Sequence, residues 1–252
     1  MVCRHSISDG IREPAVRYEL YYGNTNQGRG EFVRLTLEEA QADYIDVARE
    51  SGPGLGAEAM APYLKGENVA HPQFAPPFLK HGELVIGQTA NILLYLGPRL
   101  GLAPDDEGER LYAHQLQLTI ADVVMEIQHT HHPVAHGLYY EDQKAEAVTY
   151  TRHFLAERLP KFLGFFERAL GGREHLAGNR LSYVDLSMFQ LIEGLRFSFP
   201  NTMKRTEGDY PGLAALHDRV AVRPNVAAYL TSPRRLPWND RGVFRHYPEL
   251  EA

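Results

Sequence analysis

Two periodicities divide this chain, and they change over once, near residues 101–106. Before that point, short runs rich in Tyr, Ile, Val and Leu alternate with amphipathic stretches; after it, apolar residues recur at helical spacing with no convincing strand. A chain patterned this way folds as α+β, with a small sheet and its helices first and an all-helical part second. Pro104, Asp105 and Asp106 interrupt both patterns and mark the boundary. The resulting expectation is two domains, at about 17–101 and 106–231, flanked by a disordered or extended tail at 1–16 and a second tail at 232–252.

In the first part, RYELYYG (17–23) reads as a strand, GRGEFVRLTLEEA as an amphipathic helix and YIDV (44–47) as a second strand, parallel to the first by the usual crossover rule. A loosely helical AEAMAPYLKG follows. PFLK and ELVI then flank His81-Gly82 as a tight antiparallel hairpin, and Thr89 stands at the N-cap of ANILLYLGPRLGL. The order is β-α-β-α-β-β-α. Two prolines, Pro76 and Pro77, precede the third strand. Proline has no N–H for a central strand and is the one residue that readily accepts a cis bond, so their position suggests a site that uses exposed backbone. The second part predicts helices at roughly 106–130, 141–170, 182–197 and 211–222. Ser182 and Asp185 there form a capping box with Asp in place of the usual Glu or Gln.

With 252 residues, 44% of them hydrophobic and 23% charged, the chain has enough apolar mass for real cores. A net charge of −6 and a pI near 6.1 argue against a basic surface for nucleic acid or anionic membrane, leaving a small molecule or another protein as partner. The chain has no run of eighteen apolar residues, and its polar start lacks the apolar segment of a signal peptide, so cytoplasmic residence is expected. The single cysteine, Cys3, excludes an intramolecular disulfide and a cysteine metal cluster. His129, His131, His132 and His136 crowd into HTHHPVAH, but Pro133 divides them and neither a cysteine nor a well-placed carboxylate completes a ligand set; no metal is expected. Trp238, Phe244 and Tyr247 in the second tail either form an apolar wall across the domain cleft or simply pack.

Three segments, in this order and spacing, resemble the cytosolic glutathione transferases over about residues 17–231. PPFLKHGELVIGQTANILLYL is similar to the family's cis-proline, strand, turn, strand, Gln-Ser/Thr and helix signature; YYGNTNQGRGEFVRL looks like its tyrosine-ended strand running into the first helix; LAGNRLSYVDLSMF is close to its helical core element. The resemblance implies a thioredoxin-like N-terminal domain followed by an all-helical domain, in a homodimer of tyrosine-class-like, bacterial or fungal type. It also implies a detoxifying enzyme that joins glutathione, its co-substrate, to a small apolar electrophile. A binding or assembly protein on the same scaffold, or a glutathione-dependent isomerase or peroxidase, remains an alternative.

A free thiol titrating near pH 8.5 is mostly protonated at neutral pH, so such an enzyme must stabilise the thiolate. A tyrosine hydroxyl aimed at the sulfur does so. Tyr21 and Tyr22 stand on opposite faces of the first strand. Counted back from Glu31, Tyr22 is one residue farther than the family spacing and Tyr21 two, which favours Tyr22 as the catalytic residue and leaves Tyr21 or the loop residues Thr25 and Asn26 as alternatives. By the same resemblance Pro77 is the cis-proline, Pro76 offers the tripeptide only its C=O, and Gln88 with Thr89 grips the γ-glutamyl carboxylate and amine. A cis bond between Ala75 and Pro76 is the alternative. Lys65 reaches for the glycyl carboxylate, and Arg29 either anchors the first helix or orients the site.

Overall fold

The computed structural model describes residues 16–67 and 69–251, so the expectations for Cys3 and for nearly all of the 1–16 tail lie outside the described residues. Four strands, β1 (Tyr18–Tyr21), β2 (Tyr44–Asp46), β3 (Phe78–His81) and β4 (Leu84–Gly87), form one sheet in the order β2-β1-β3-β4. β1 and β2 are parallel across α1 (Gly28–Glu39), whereas β3 is antiparallel to both β1 and β4. The short α2 (Ala61–Lys65) precedes β3, and α3 (Thr89–Arg99) follows β4, giving the order β-α-β-α-β-β-α. Strand alternation separates two cores. Leu20, Leu79 and Ile86 pack under Val33, Leu37, Ile92 and Leu96 of α1 and α3, while Tyr21 and Phe78 face Val47 and Tyr63 on the other side.

Three local expectations shift. β3 runs on through His81, and the hairpin turns at Gly82-Glu83, where Gly82 has φ +61°, a left-handed value that suits glycine. Val47 leaves the sheet to begin a 3₁₀ turn. β1 stops at Tyr21, so Tyr22 is the first residue of the loop into α1.

The second domain is helical: α4 (Glu107–His129), α5 (Lys144–His153), α6 (Leu159–Leu170), α7 (Tyr183–Ser198), α8 (Pro200–Thr206), α9 (Pro211–Ala221) and α10 (Pro224–Leu230). The single helix expected over 141–170 is divided by a π-helical turn at Phe154–Arg158, just ahead of Pro160, which has no N–H to continue the ladder. α8 and α10 were not expected; each opens with a proline at its first position, as α9 does. α7 is buried on almost every side, with Leu186, Leu191 and Leu195 fully enclosed, each worth about 1.5–3 kcal/mol of burial. Its start is fixed by Asp185, whose Oδ2 accepts from Ser182 N–H at 2.8 Å and whose Oδ1 accepts from Leu176 N–H at 2.8 Å. Phe32, Leu35 and Leu93 of the first domain join this helical core directly.

After α10 the chain doubles back. Val243 and Phe244 enter the helical core, Leu250 packs against Tyr140 and Ala147, and Glu251 accepts from Thr202 N–H at 2.7 Å.

Candidate functional site

The loop from Tyr22 to Gln27 lies where β1 gives way to α1, and its shape follows from two glycines. The Tyr22 ring lies so close over Gly28 and Gly30 that a Cβ on either would collide with it. The phenol oxygen then accepts the backbone N–H of Arg29 at 2.9 Å, an otherwise unbonded amide of the first helical turn. With that bond made from inside the protein, the phenol proton is left without a protein acceptor among the bonds of the described residues. Burial raises the Tyr22 pKa, partly opposed by the Arg29 amide and by the Arg29 and Arg34 charges, so the group is a neutral donor at physiological pH. Tyr21 is committed elsewhere: it stacks on Phe78 with ring centroids 4.6 Å apart and donates to Glu19 at 2.8 Å. Burial and that carboxylate raise its pKa as well. Thr25 is exposed, and Asn26 has its Oδ1 buried without a partner.

A buried charge network holds this loop. Arg34, wholly enclosed, donates to Gly23 O at 3.2 Å, to Asp46 at 2.6 Å and to Glu31 at 3.1 Å. The other Glu31 oxygen accepts from Tyr229 at 2.5 Å and Arg235 at 2.6 Å. Gln190 of α7 donates to Gln27 at 3.0 Å, Gln27 donates to Leu236 O at 2.6 Å, and Asn239 donates to Thr25 O at 2.7 Å. The second tail therefore fastens the loop, while Trp238 stacks on Phe197 of α7 with centroids 5.1 Å apart. None of Arg34, Gln190 and Arg235 was singled out from the sequence. Arg34 follows Glu31 by three residues on the helix, a pairing that reads equally well as a solvent-exposed one.

The peptide bond between Pro76 and Pro77 is cis. Because Phe78 pairs with Tyr21, the prolyl pair adjoins the end of β1 and hence Tyr22. Gln88, rather than Thr89, occupies the N-cap of α3, with φ +69° and no side-chain cap; Thr89 is the first helical residue and donates its Oγ1–H to Arg29 O at 3.3 Å. The starts of α1 and α3 are thereby joined, leaving the first amides of α3 uncapped, a geometry suited to a carboxylate. The Arg29 side chain lies beside them and reaches Gln128 of α4 at 3.4 Å. A cavity of about 270 Å³ opens between these two helix starts and α4. Lys65 ends α2 with its side chain exposed and 3.9 Å from Glu67; among the described residues it bonds to no other candidate.

The histidines form a joint. His131 Nε2 meets Val243 O at 2.9 Å and its Nδ1 meets His132 Nδ1 at 2.5 Å. Burial pushes His131 down to about 3, so the pair is neutral and links the end of α4 to the second tail. Among the described residues, no three His, Cys, Asp or Glu side chains are grouped to hold a metal ion, and no helix is long and apolar enough to cross a membrane.

Residues 128–233 match the family model described as glutathione S-transferase, C-terminal domain. A glutathione S-transferase of Plasmodium falciparum is 24% identical over 222 residues, covering 84% of this chain and 94% of that protein. Mouse glutathione S-transferase Mu 3 is 25% identical over 218 residues, covering 86% and 92%. Among solved structures, the Pi-class glutathione S-transferase of Onchocerca volvulus superposes with a TM-score of 0.67 at 21% identity, covering 89% of this chain and 98% of that one. Prostaglandin synthase D of Nilaparvata lugens superposes with a TM-score of 0.65 at 22% identity, covering 88% and 100%. The chain thus has the glutathione S-transferase fold, its helical part matches that family's C-terminal domain, and the family model and curated relatives together support an enzyme of the glutathione S-transferase kind.

Proposed function

We propose that this protein is a tyrosine-class glutathione transferase in which the Tyr22 hydroxyl donates a hydrogen bond to the glutathione sulfur. The observation that carries this reading is the Tyr22 hydroxyl itself, held by the Arg29 amide at 2.9 Å beside the cis prolyl pair and the open start of α3. The thiol loses its proton to solvent, the thiolate is stabilised by the phenol, sulfur bonds to an electrophilic carbon, and the leaving group departs with the electron pair. Pro76 offers its carbonyl to the cysteinyl unit, Pro77 sets the turn into β3, and Gln88 and Thr89 receive the γ-glutamyl end. Lys65 draws the glycyl carboxylate by charge.

The electrophile is small and apolar, the setting is cytoplasmic and the role detoxifying. We divide the chain at residues 101–106, treating 17–101 as the glutathione domain and 106–231 as the substrate domain. The working unit is a homodimer. In support, Phe74 is 96% exposed, α4 carries an exposed stripe of Leu111, Leu118 and Met125, and Val134, Tyr150 and Phe154 help line an open groove of about 720 Å³. Immobilised glutathione should retain the protein and free glutathione should elute it, with turnover of an activated aryl halide saturating in glutathione. Binding without turnover would favour the scaffold-only alternative, and no binding would defeat the reading.

A further inference from the structure

The loop bearing Tyr22 is tied to α7 and the second tail by a closed ring of hydrogen bonds, and elementary chemistry allows that ring one direction only. A guanidinium has donors and no acceptor, whereas a peptide carbonyl accepts and cannot donate. Arg235 Nη1 donates to Gln190 Oε1 at 2.9 Å, which commits the Gln190 amide nitrogen to the opposite side, where it donates to Gln27 Oε1 at 3.0 Å. Gln27 is left with its own Nε2 to offer, and Leu236 O accepts it at 2.6 Å. Leu236 adjoins Arg235, so the ring leaves the tail, passes through α7 and the start of α1, and closes one residue from where it began. Gln190 is fully buried and Gln27 is 3% exposed, so a bond lost inside the ring leaves a buried polar group unpaired.

What the ring holds is the first turn of α1. Gln27 is the N-cap of that helix, and its carbonyl accepts from Glu31 N–H at 3.2 Å. Two residues on, the Arg29 amide holds the Tyr22 oxygen at 2.9 Å, and Gly28 between them has φ +45° and lies against the Tyr22 phenol. A displacement at Gln27 is therefore carried to the hydroxyl through a single intervening residue. Catalytic geometry is sensitive on that scale, since a misplacement of about 1 Å can cost roughly 100-fold in rate.

We propose that Gln190 of α7 and Arg235 of the tail are positioning residues for thiolate formation: acting through Gln27, they set the start of α1 and with it the Tyr22 hydroxyl. This rests on the reading of Tyr22 as the donor to the glutathione sulfur and extends it to two residues that touch neither the sulfur nor Tyr22. Arg235 fixes which way the Gln190 amide faces, and Gln190 in turn fixes Gln27.

The test uses the full chain as wild type, Gln190→Leu, Tyr22→Phe and the double variant, each titrated by the thiolate absorbance of bound glutathione and assayed with an activated aryl halide. Gln190→Leu should raise the thiol pKa by at least about half the shift that Tyr22→Phe gives, and lower kcat roughly tenfold, with KM for glutathione kept within about twofold. In the double variant the effect of Gln190→Leu on the thiol should vanish, because no hydroxyl remains to be misplaced, whereas independent sites would add. Gln190→Glu keeps an acceptor for Arg235 and loses only the donor to Gln27; it should act in the same direction and serves if Gln190→Leu does not fold. A thiol pKa unmoved by the Gln190 variants, or shifts that add in the double variant, overturns the assignment and leaves the glutathione reading intact. Failure of the wild type to bind glutathione, or a thiol pKa unmoved by Tyr22→Phe, removes that reading and this inference with it.

Discussion

The role proposed for Tyr22 depends on its oxygen being bonded from behind. Had its oxygen no internal donor, the hydroxyl would be less tightly held; the Arg29 amide at 2.9 Å occupies one of its lone pairs, and on the proposed function its proton is given to the sulfur as a hydrogen bond. Tyr22→Phe should therefore raise the pKa of bound glutathione by about one unit, the equivalent of about 1.4 kcal/mol, as read by thiolate absorbance, with glutathione affinity largely kept. A titration left unmoved would pass the role to another donor. His131 makes a pH prediction. Its folded pKa lies near 3 and its unfolded one near 6.5, so the unfolded chain binds the extra proton between those values and stability falls as the pH drops through that window. The contribution is fully present above about pH 6.5 and diminishes by at most about 1.4 kcal/mol per pH unit below it. Melting temperatures measured from pH 7.5 down to 4 should fall, and His131→Gln should flatten that decline.

Single elements were legible where chemistry is local. The strand, helix and hairpin order of the first domain follows from alternation and helical spacing, and the Ser182-Asp185 pair marked the start of α7 correctly. Asp185 does more than the motif implies, because its second oxygen accepts from Leu176, nine residues back. Asp185→Ala should accordingly exceed an ordinary cap deletion. Two buried N–H groups lose their acceptor at about 1–3 kcal/mol each, giving a drop of at least about 2 kcal/mol in the denaturant-derived stability. What stayed illegible depends on partners distant in sequence. Gln88 rather than Thr89 is the N-cap of α3, and the Thr89 hydroxyl bonds instead to the Arg29 carbonyl, 60 residues away in sequence. Likewise, no local pattern distinguishes a buried Arg34 from an exposed one. α8 and α10 were readable in principle, since Pro200 and Pro224 stand at first helical positions, but at seven residues each they are too short for periodicity to show.

On the scale of the whole molecule, the exposed Phe74 and the open groove by α5 are the surfaces that the proposed homodimer would cover. The wild-type protein should sediment as a dimer and Phe74→Asp as a monomer with unchanged helical content; an unaltered sedimentation coefficient would remove Phe74 from the proposed interface. The return of the chain after α10 has a consequence in time. Thr25 waits for Asn239, and Gln27 for Leu236, across separations of 214 and 209 residues. At a synthesis rate of about 5–20 residues per second, the turn bearing Tyr22 leaves the ribosome roughly 10–40 s before the segment that fastens it. The thioredoxin-like half can assemble its sheet early, yet the loop bearing Tyr22 is fastened only when residues 232–251 arrive, so on the proposed function a nascent chain halted before them would be folded in part and chemically idle.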